Sequence, residues 1–219
     1  LAVLNRQTGR LNHDAEEVYQ PPLKQLRKYV LSGLDHLFSW LFISLNKLNC
    51  YKKYYYWSKT EVKGNYGKRI RQLIDRSKPE EIYFDGDLEK KNYGSEYFGV
   101  GSVSISHCDN FMAYSLDLKG SEYYTIYIRD LRSGKNENDI IENTSGGITW
   151  SLDSKSFFYS KLDKFHRPRQ IFKHVLGTQI KEDKLIFEEK DETFTCGISL
   201  SSDEKFFIIS TSDHITTEE

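Results

Sequence analysis

The chain has 219 residues; 31 Lys and Arg against 32 Asp and Glu leave a formal net charge of −1, and 14% of the residues are aromatic, including 15 Tyr and 13 Phe. That length supports one large or two modest domains with a sizeable core. The balanced charge excludes a generalised basic surface for nucleic acid or anionic membrane. The aromatic content favours strands, whose pleated surface packs flat rings well.

Residues 1–22 are polar and carry no strong period, and Pro21-Pro22 ends them. From Leu23 the apolar residues Leu26, Val30, Leu34, Leu37, Leu41, Leu45 and Leu48 fall three or four apart, which is helical spacing. Residues 1–52 are therefore expected to form an N-terminal helical extension. Its apolar part, Leu34–Leu48, contains Asp35, His36, Asn46 and Lys47. It falls short of the roughly 20 apolar residues of a membrane span. It also sits too far from the start, and lacks a small-residue cleavage site, for a signal peptide. A helix packed on another surface is the expectation; a segment that does not fold natively here is the first alternative and a membrane or interfacial role the second.

After Lys53 the texture changes to short aromatic runs. Tyr54–Ser58 and Gly67–Ile74 read as paired strands across the Val62-Lys63-Gly64-Asn65 turn, followed by a strand at Glu81–Phe84 and a short helix or loop at Leu88–Glu96. Three gapless copies of one pattern then organise the chain: ISHCDNFMAYS from Ile105, WSLDSKSFFYS from Trp150 and LSSDEKFFIIS from Leu200. Each copy is an apolar residue, a serine, a polar turn and an apolar run ending in serine. Two strands joined by a tight turn fit this pattern. A hairpin returning every 45 to 50 residues is the signature of a propeller blade. The match continues into a third strand, with Ile126-Tyr127 against Ile171-Phe172 and Leu131 against Leu176. The fold class is thus mainly β, a partial β-propeller behind a helical segment. Its blades are expected at 53–98, 99–146, 147–192 and 193–219, the last ending before its third strand.

No chemistry-bearing motif stands out. Gly197-Ile198-Ser199 begins a nucleophile elbow, but Ser201 occupies the place of the second glycine. Gly99-Val100-Gly101 lacks a third glycine and a following helix, and reads as a strand start with close backbone packing. The histidines at 13, 36, 107, 166, 174 and 214 have no ligand spacing and read as turn or surface residues. Asp85, Asp87, Asp153, Glu188, Glu189, Asp191, Glu192, Asp203 and Glu204 read as solvated turn charge. Cys50, Cys108 and Cys196 are too far apart for a metal pattern and suit thiols in a reducing compartment. Asn143-Thr144-Ser145 matches a glycosylation sequon without a secretory signal beside it. Arg129, Arg132, Arg167 and Arg169 are candidates for lining a channel that takes peptide carboxylates. No residue is assigned a catalytic, cofactor-binding or metal-ligating role, and no cofactor is expected.

Several stretches resemble one known group of enzymes: Tyr54–Tyr66, Gly120–Gly134, Ile141–Trp150, Phe157–Leu176 with its Leu162-Asp163…Arg167-Pro168 turn, and Glu188–Phe194. Together they are similar to the oligopeptidase B (protease II) branch of the prolyl oligopeptidase family of serine peptidases, over roughly residues 53–219. The resemblance implies a seven-bladed propeller that filters substrate size, and a separate α/β-hydrolase domain that cleaves short peptides after Lys or Arg with a Ser-Asp-His triad. The triad and the acidic residues that read the basic side chain belong to that domain, so none of them carries over to this chain. The resemblance implies short basic peptides as partners of the complete enzyme, and a cytoplasmic setting is expected; the incomplete array makes a separate chain with the rest of the propeller and the hydrolase domain a candidate partner, and the charge balance argues against nucleic acid and disfavours a membrane. The expectation is a propeller fragment inactive by itself. A non-catalytic β-repeat interaction module and a non-functional remnant of a split gene are the alternatives. Two departures stand out. The residues before Tyr54 lack the family's Pro- and Gly-containing approach, and His107-Cys108 replaces a usual Pro-Asp, which is expected to loosen that turn.

Overall fold

The structure is a computed structural model that describes residues 49–51, 53–213 and 217–218. The helix expected at 34–48, and the histidines at 13, 36 and 214, lie outside the described residues.

Strands β1 (Asn49–Tyr51), β2 (Tyr54–Lys59), β3 (Lys68–Leu73) and β4 (Glu81–Asp85) form an antiparallel sheet in chain order. β1 falls in the stretch that the sequence reading assigned to the helical extension; Asn49 pairs with Tyr56 and Tyr51 with Tyr54. The stretch after β4 forms helix α1 (Gly86–Tyr93), because its ends are well capped. The Asp85 carboxylate accepts from the Leu88 backbone N–H at 3.2 Å, and Asp87 and Glu89 lie in the positive first turn. Gly94, at φ 62°, closes the helix by donating its N–H to the Lys90 carbonyl.

The next two units follow the repeat. β5 (Gly99–Ile105), β6 (Phe111–Asp117), β7 (Tyr124–Asp130) and β8 (Lys135–Thr144) pair in order. So do β9 (Thr149–Trp150), β10 (Ser156–Leu162), β11 (Pro168–Val175) and β12 (Lys184–Glu188), with a 3₁₀ turn at Ile180–Glu182 before β12. A single bridge, Lys161 to Thr144, runs the two sheets into one continuous path. β8 is ten residues long, against the short edge strand expected at Asp139–Glu142. β13 (Thr195–Leu200), β14 (Phe207–Ser212) and β15 (Thr217–Glu218) form the last sheet. β15 pairs Thr217 with Ser212, so the third strand of that unit, expected to be absent, begins at the end of the chain.

The repeated hairpin turn has one design. In each copy the serine N–H donates to the carbonyl five residues on: Ser106 to Phe111, Ser151 to Ser156 and Ser201 to Phe206, each at 2.9 Å. The serine hydroxyl accepts the N–H of that same partner, at 3.1, 3.2 and 3.0 Å. The residue three after the serine takes a left-handed conformation, with φ 61° at Asp109, 59° at Ser154 and 58° at Glu204. In the second and third copies the serine also donates to an aspartate two residues on, Ser151 to Asp153 at 2.6 Å and Ser201 to Asp203 at 2.7 Å. The first copy has Cys108 there, with its sulfur 3.4 Å from Ser106 Oγ.

That first turn is nevertheless well tied, contrary to the expected loosening. Tyr56 donates to Asp109 Oδ1 at 2.6 Å, Arg71 Nη1 donates to the Asp109 carbonyl at 2.6 Å, and the Cys108 N–H donates to Ser154 Oγ at 2.8 Å. The anchors come from the neighbouring sheets, not from the turn's own side chains.

Successive sheets stack face to face, and strand alternation decides which side chain faces which neighbour. On β6, Met112, Tyr114 and Leu116 pack with Phe84 and Phe98, while Ala113 turns the other way to join Ile126, Trp150, Phe157 and Tyr159. On β10, Phe157 and Tyr159 face that second core, while Phe158 faces forward with Ile171 onto Cys196. Gly146 links the second and third sheets at φ 85°, where an added Cβ would lie 2.9 Å from the Tyr124 ring.

Candidate functional site: a cleft between the first strands

The first strand of each repeated unit meets the first strand of the next. Trp150 Nε1 on β9 donates to the Ser104 carbonyl on β5 at 3.2 Å, and Thr149 Oγ1 donates to the Ile198 carbonyl on β13 at 3.0 Å. β5, β9 and β13 therefore run side by side along one line, where the four sheets converge. A cleft of about 440 Å³ opens along it, lined by Tyr56 and Tyr83 of the first sheet, Val103–Ile105 and His107, Ile148–Trp150, and Leu200 with Glu204. Ile105, Trp150 and Leu200 are the opening residues of the three sequence copies, so the repeat itself delivers one apolar side chain per unit to this cleft.

The lining is mostly apolar, with three aromatic side chains, and Glu204 carries its one carboxylate. Burial pushes the Tyr56 phenol far up, and its bond to Asp109 adds to that; burial pushes Tyr83 up to about 12 against the opposing pull of Arg69 and Arg71. Both phenols stay protonated at neutral pH and can donate. With the Thr149 hydroxyl, His107 and Glu204, the cleft offers ring faces and a few polar groups.

The four arginines proposed from sequence are not brought together. Arg129 is held by Glu89 of α1 at 2.7 Å and by Tyr114 at 3.1 Å, and Arg132 by Asp130 of its own unit at 2.8 Å. Arg167 bonds the Glu192 carbonyl, and Arg169 bonds the Glu189 carbonyl at 2.8 Å. Arg169 borders a separate cleft of about 370 Å³ whose charges are mixed: Lys161, Lys190, Asp163, Glu188 and Glu189. These guanidiniums are committed to the protein itself and form no common channel.

The other candidates divide. His107 lines the cleft, and His166 sits in a turn at φ 61° with its ring 4.1 Å from that of Tyr123. His174 corrects the surface reading, because it is completely buried. Asp85 and Asp87 are structural: Asp85 caps α1 and pairs with Lys68 at 3.0 Å, and Asp87 accepts from the N–H groups of Asn65 and Tyr66. Asp153 and Asp203 brace the hairpin turns. Cys108 is exposed and Cys196 buried, both as free thiols. Burial would raise Cys108, but hydrogen bonds from Ser106 and the Asn110 backbone outweigh it and hold the thiol below its usual range; burial pushes Cys196 up to about 11. Thr144, the middle residue of the sequon, is buried and its hydroxyl donates to the Tyr124 carbonyl at 2.9 Å. Among the described residues, no helix is long and apolar enough to cross a membrane.

Four-stranded sheets stacked in series, with their first strands converging on one line, define part of a β-propeller. Residues 43–219 match the family described as prolyl oligopeptidase, N-terminal beta-propeller domain, and the chain belongs to that family. It is 32% identical over 133 residues to dipeptidyl aminopeptidase BI of Pseudoxanthomonas mexicana, and 35% identical over 134 residues to protease 2 of Moraxella lacunata. Each of these matches covers 60% of this chain and 18% or 19% of the relative, so the chain spans about a fifth of their length. Among solved structures it is similar to oligopeptidase B from Leishmania major, with a TM-score of 0.70 and 24% identity over 76% of this chain and 24% of that one. It is also similar to oligopeptidase B from Trypanosoma brucei, with a TM-score of 0.66 and 23% identity over 93% and 31%. These structural matches carry the fold.

Proposed function

We propose that this chain forms the propeller side of an oligopeptidase B-like peptidase, one that cleaves short peptides after Lys or Arg. In this reading residues 53–219 build blades that admit and position the peptide. The nucleophile, its histidine and its acid, and the acidic groups that read the basic side chain, come from an α/β-hydrolase segment outside this sequence. The observation that carries the reading is the cleft where β5, β9 and β13 converge, lined by Tyr56, Tyr83 and Trp150. A ring-lined passage on the propeller axis limits what passes to a slender, extended chain. A cytoplasmic setting is part of the proposal, and the free thiols of Cys108 and Cys196 are compatible with it.

The test is complementation. The chain is combined with a polypeptide carrying the remaining blades and the hydrolase segment, and hydrolysis is measured on short and long peptides containing Arg. Activity that needs both parts and falls with peptide length supports the proposal. Correct assembly without activity, or equal activity on peptides of any length, removes it.

A further inference from the structure

His174 on β11 sits in a buried cluster that the cleft does not use. The ring is 0% exposed and lies between two carboxylates whose side chains are 7% and 2% exposed. Nδ1 is 2.7 Å from Asp183 Oδ1, which follows the 3₁₀ turn, and Nε2 is 3.3 Å from Asp139 Oδ2 on β8. The remaining groups facing the cluster come from β10. Tyr159 donates to Asp183 Oδ2 at 2.7 Å, and the Phe157 ring lies 5.3 Å from the imidazole. Burial and the Asp183 contact keep the Tyr159 phenol protonated, so it stays a donor and Asp183 an acceptor. Asp139 Oδ2 already accepts the Gly177 N–H at 2.7 Å.

This leaves a question of protons. A neutral ring with its one proton on Nδ1 satisfies Asp183, but then a bare Nε2 lone pair faces a carboxylate oxygen only 3.3 Å away. Two acceptors in that position repel each other, and a buried polar atom without a partner is costly. Nε2 has no aligned hydrogen-bond partner, yet it lies within ion-pair distance of Asp139. The contact turns attractive once a second proton sits between Nε2 and Asp139.

We propose that His174 is an imidazolium in the folded chain, and that its charge clasps β8 of the second sheet to β11 of the third. The clasp sits where the two sheets run together and where the chain turns towards β12. Its extra proton belongs to the folded state. Its contribution is therefore complete below the range where a free imidazole ionises, about 6.5, and fades as pH rises above it. While the folded ring keeps a proton that the open one releases, the opening constant rises by about tenfold per pH unit.

The experiment uses the full chain labelled with ¹⁵N-histidine. At pH 7.5 the His174 ring is expected to show protons on both nitrogens. Exchange of the Gly177 amide, corrected for its intrinsic rate, should lose protection by about tenfold per pH unit above about pH 6.5. In Asp139→Asn the side-chain amide can donate to a neutral Nε2, so the ring should carry one proton and the pH dependence should vanish. A singly protonated His174 ring in the unmodified chain at pH 7.5 overturns the proposal, whether or not the variant folds. So does an Asp139→Asn chain that keeps the same pH dependence.

Discussion

Phe157 and Phe207 occupy the same position in two copies of the repeat, but the structure gives them different surroundings. Phe157 is 0% exposed, with its ring 5.3 Å from Trp150 and 6.3 Å from Tyr159; Phe207 is 38% exposed, with its ring tilted against that of Phe158 at 4.7 Å. Truncating a fully buried phenylalanine costs about 3–5 kcal/mol, from lost transfer energy plus the cavity left behind. With a urea m-value of about 2 kcal/mol/M, Phe157→Ala lowers the unfolding midpoint by about 1.5–2.5 M. Phe207→Ala removes only the buried part of a ring, about 1–2 kcal/mol, and shifts it by about 0.5–1 M. The assay is urea unfolding followed by tryptophan emission, which Trp150 reports from within the Phe157 core. If Phe157→Ala unfolds the chain outright, Phe157→Leu serves. It keeps most of the volume and loses about 0.5–1.5 kcal/mol of aromatic pairing. Equal shifts for the two alanine variants would refute the claim that stacked sheets, not local hairpins, set the burial of this position.

Cys108→Asp restores the serine–aspartate bond that the other two turns have, and should stabilise the chain by about 0.5–1.5 kcal/mol; an unchanged or lower midpoint counts against the shared turn design. Gly146→Ala forces a side chain into the left-handed region against the Tyr124 ring, and should cost roughly 1–3 kcal/mol, read as a fall in the thermal midpoint. Burial would raise Asp117, but the N–H groups of Lys119, Glu122 and Gly120 outweigh it and hold its carboxyl below the usual range. Its stabilisation is present above the unfolded value, about 3.9, and is lost as pH falls through the lower folded one. Asp117→Asn should therefore destabilise at neutral pH and flatten the acid limb of the stability profile.

The hairpins were legible because turn chemistry and strand alternation act within eleven residues, and those residues repeat without gaps. The cleft was partly legible for the same reason: Ile105, Trp150 and Leu200 open the three copies and reach the axis together. β8 was under-read because of its ten residues only Asp139, Ile141 and Thr144 are buried, and the exposed remainder, KNEN above all, looks like loop. β1 was hidden by the helical spacing that runs up to Leu48. The arginine channel failed because an arginine's partners are set by tertiary neighbours such as Glu89 and the 188–192 segment, which spacing cannot show. His174 failed in the same way. Asp139, Tyr159 and Asp183 come from different strands and loops, and only sheet stacking draws them around one ring.

The central claim is that consecutive sheets lie side by side with their first strands converging. The Trp150 indole tests it most directly, through ¹⁵N-tryptophan labelling of the chain and nuclear Overhauser contacts to β5. Converging first strands predict a slowly exchanging indole proton with contacts to Ser104 and Ile105, as its 3.2 Å bond to the Ser104 carbonyl requires. A Trp150 indole proton that exchanges freely and shows no contact to β5 would contradict it.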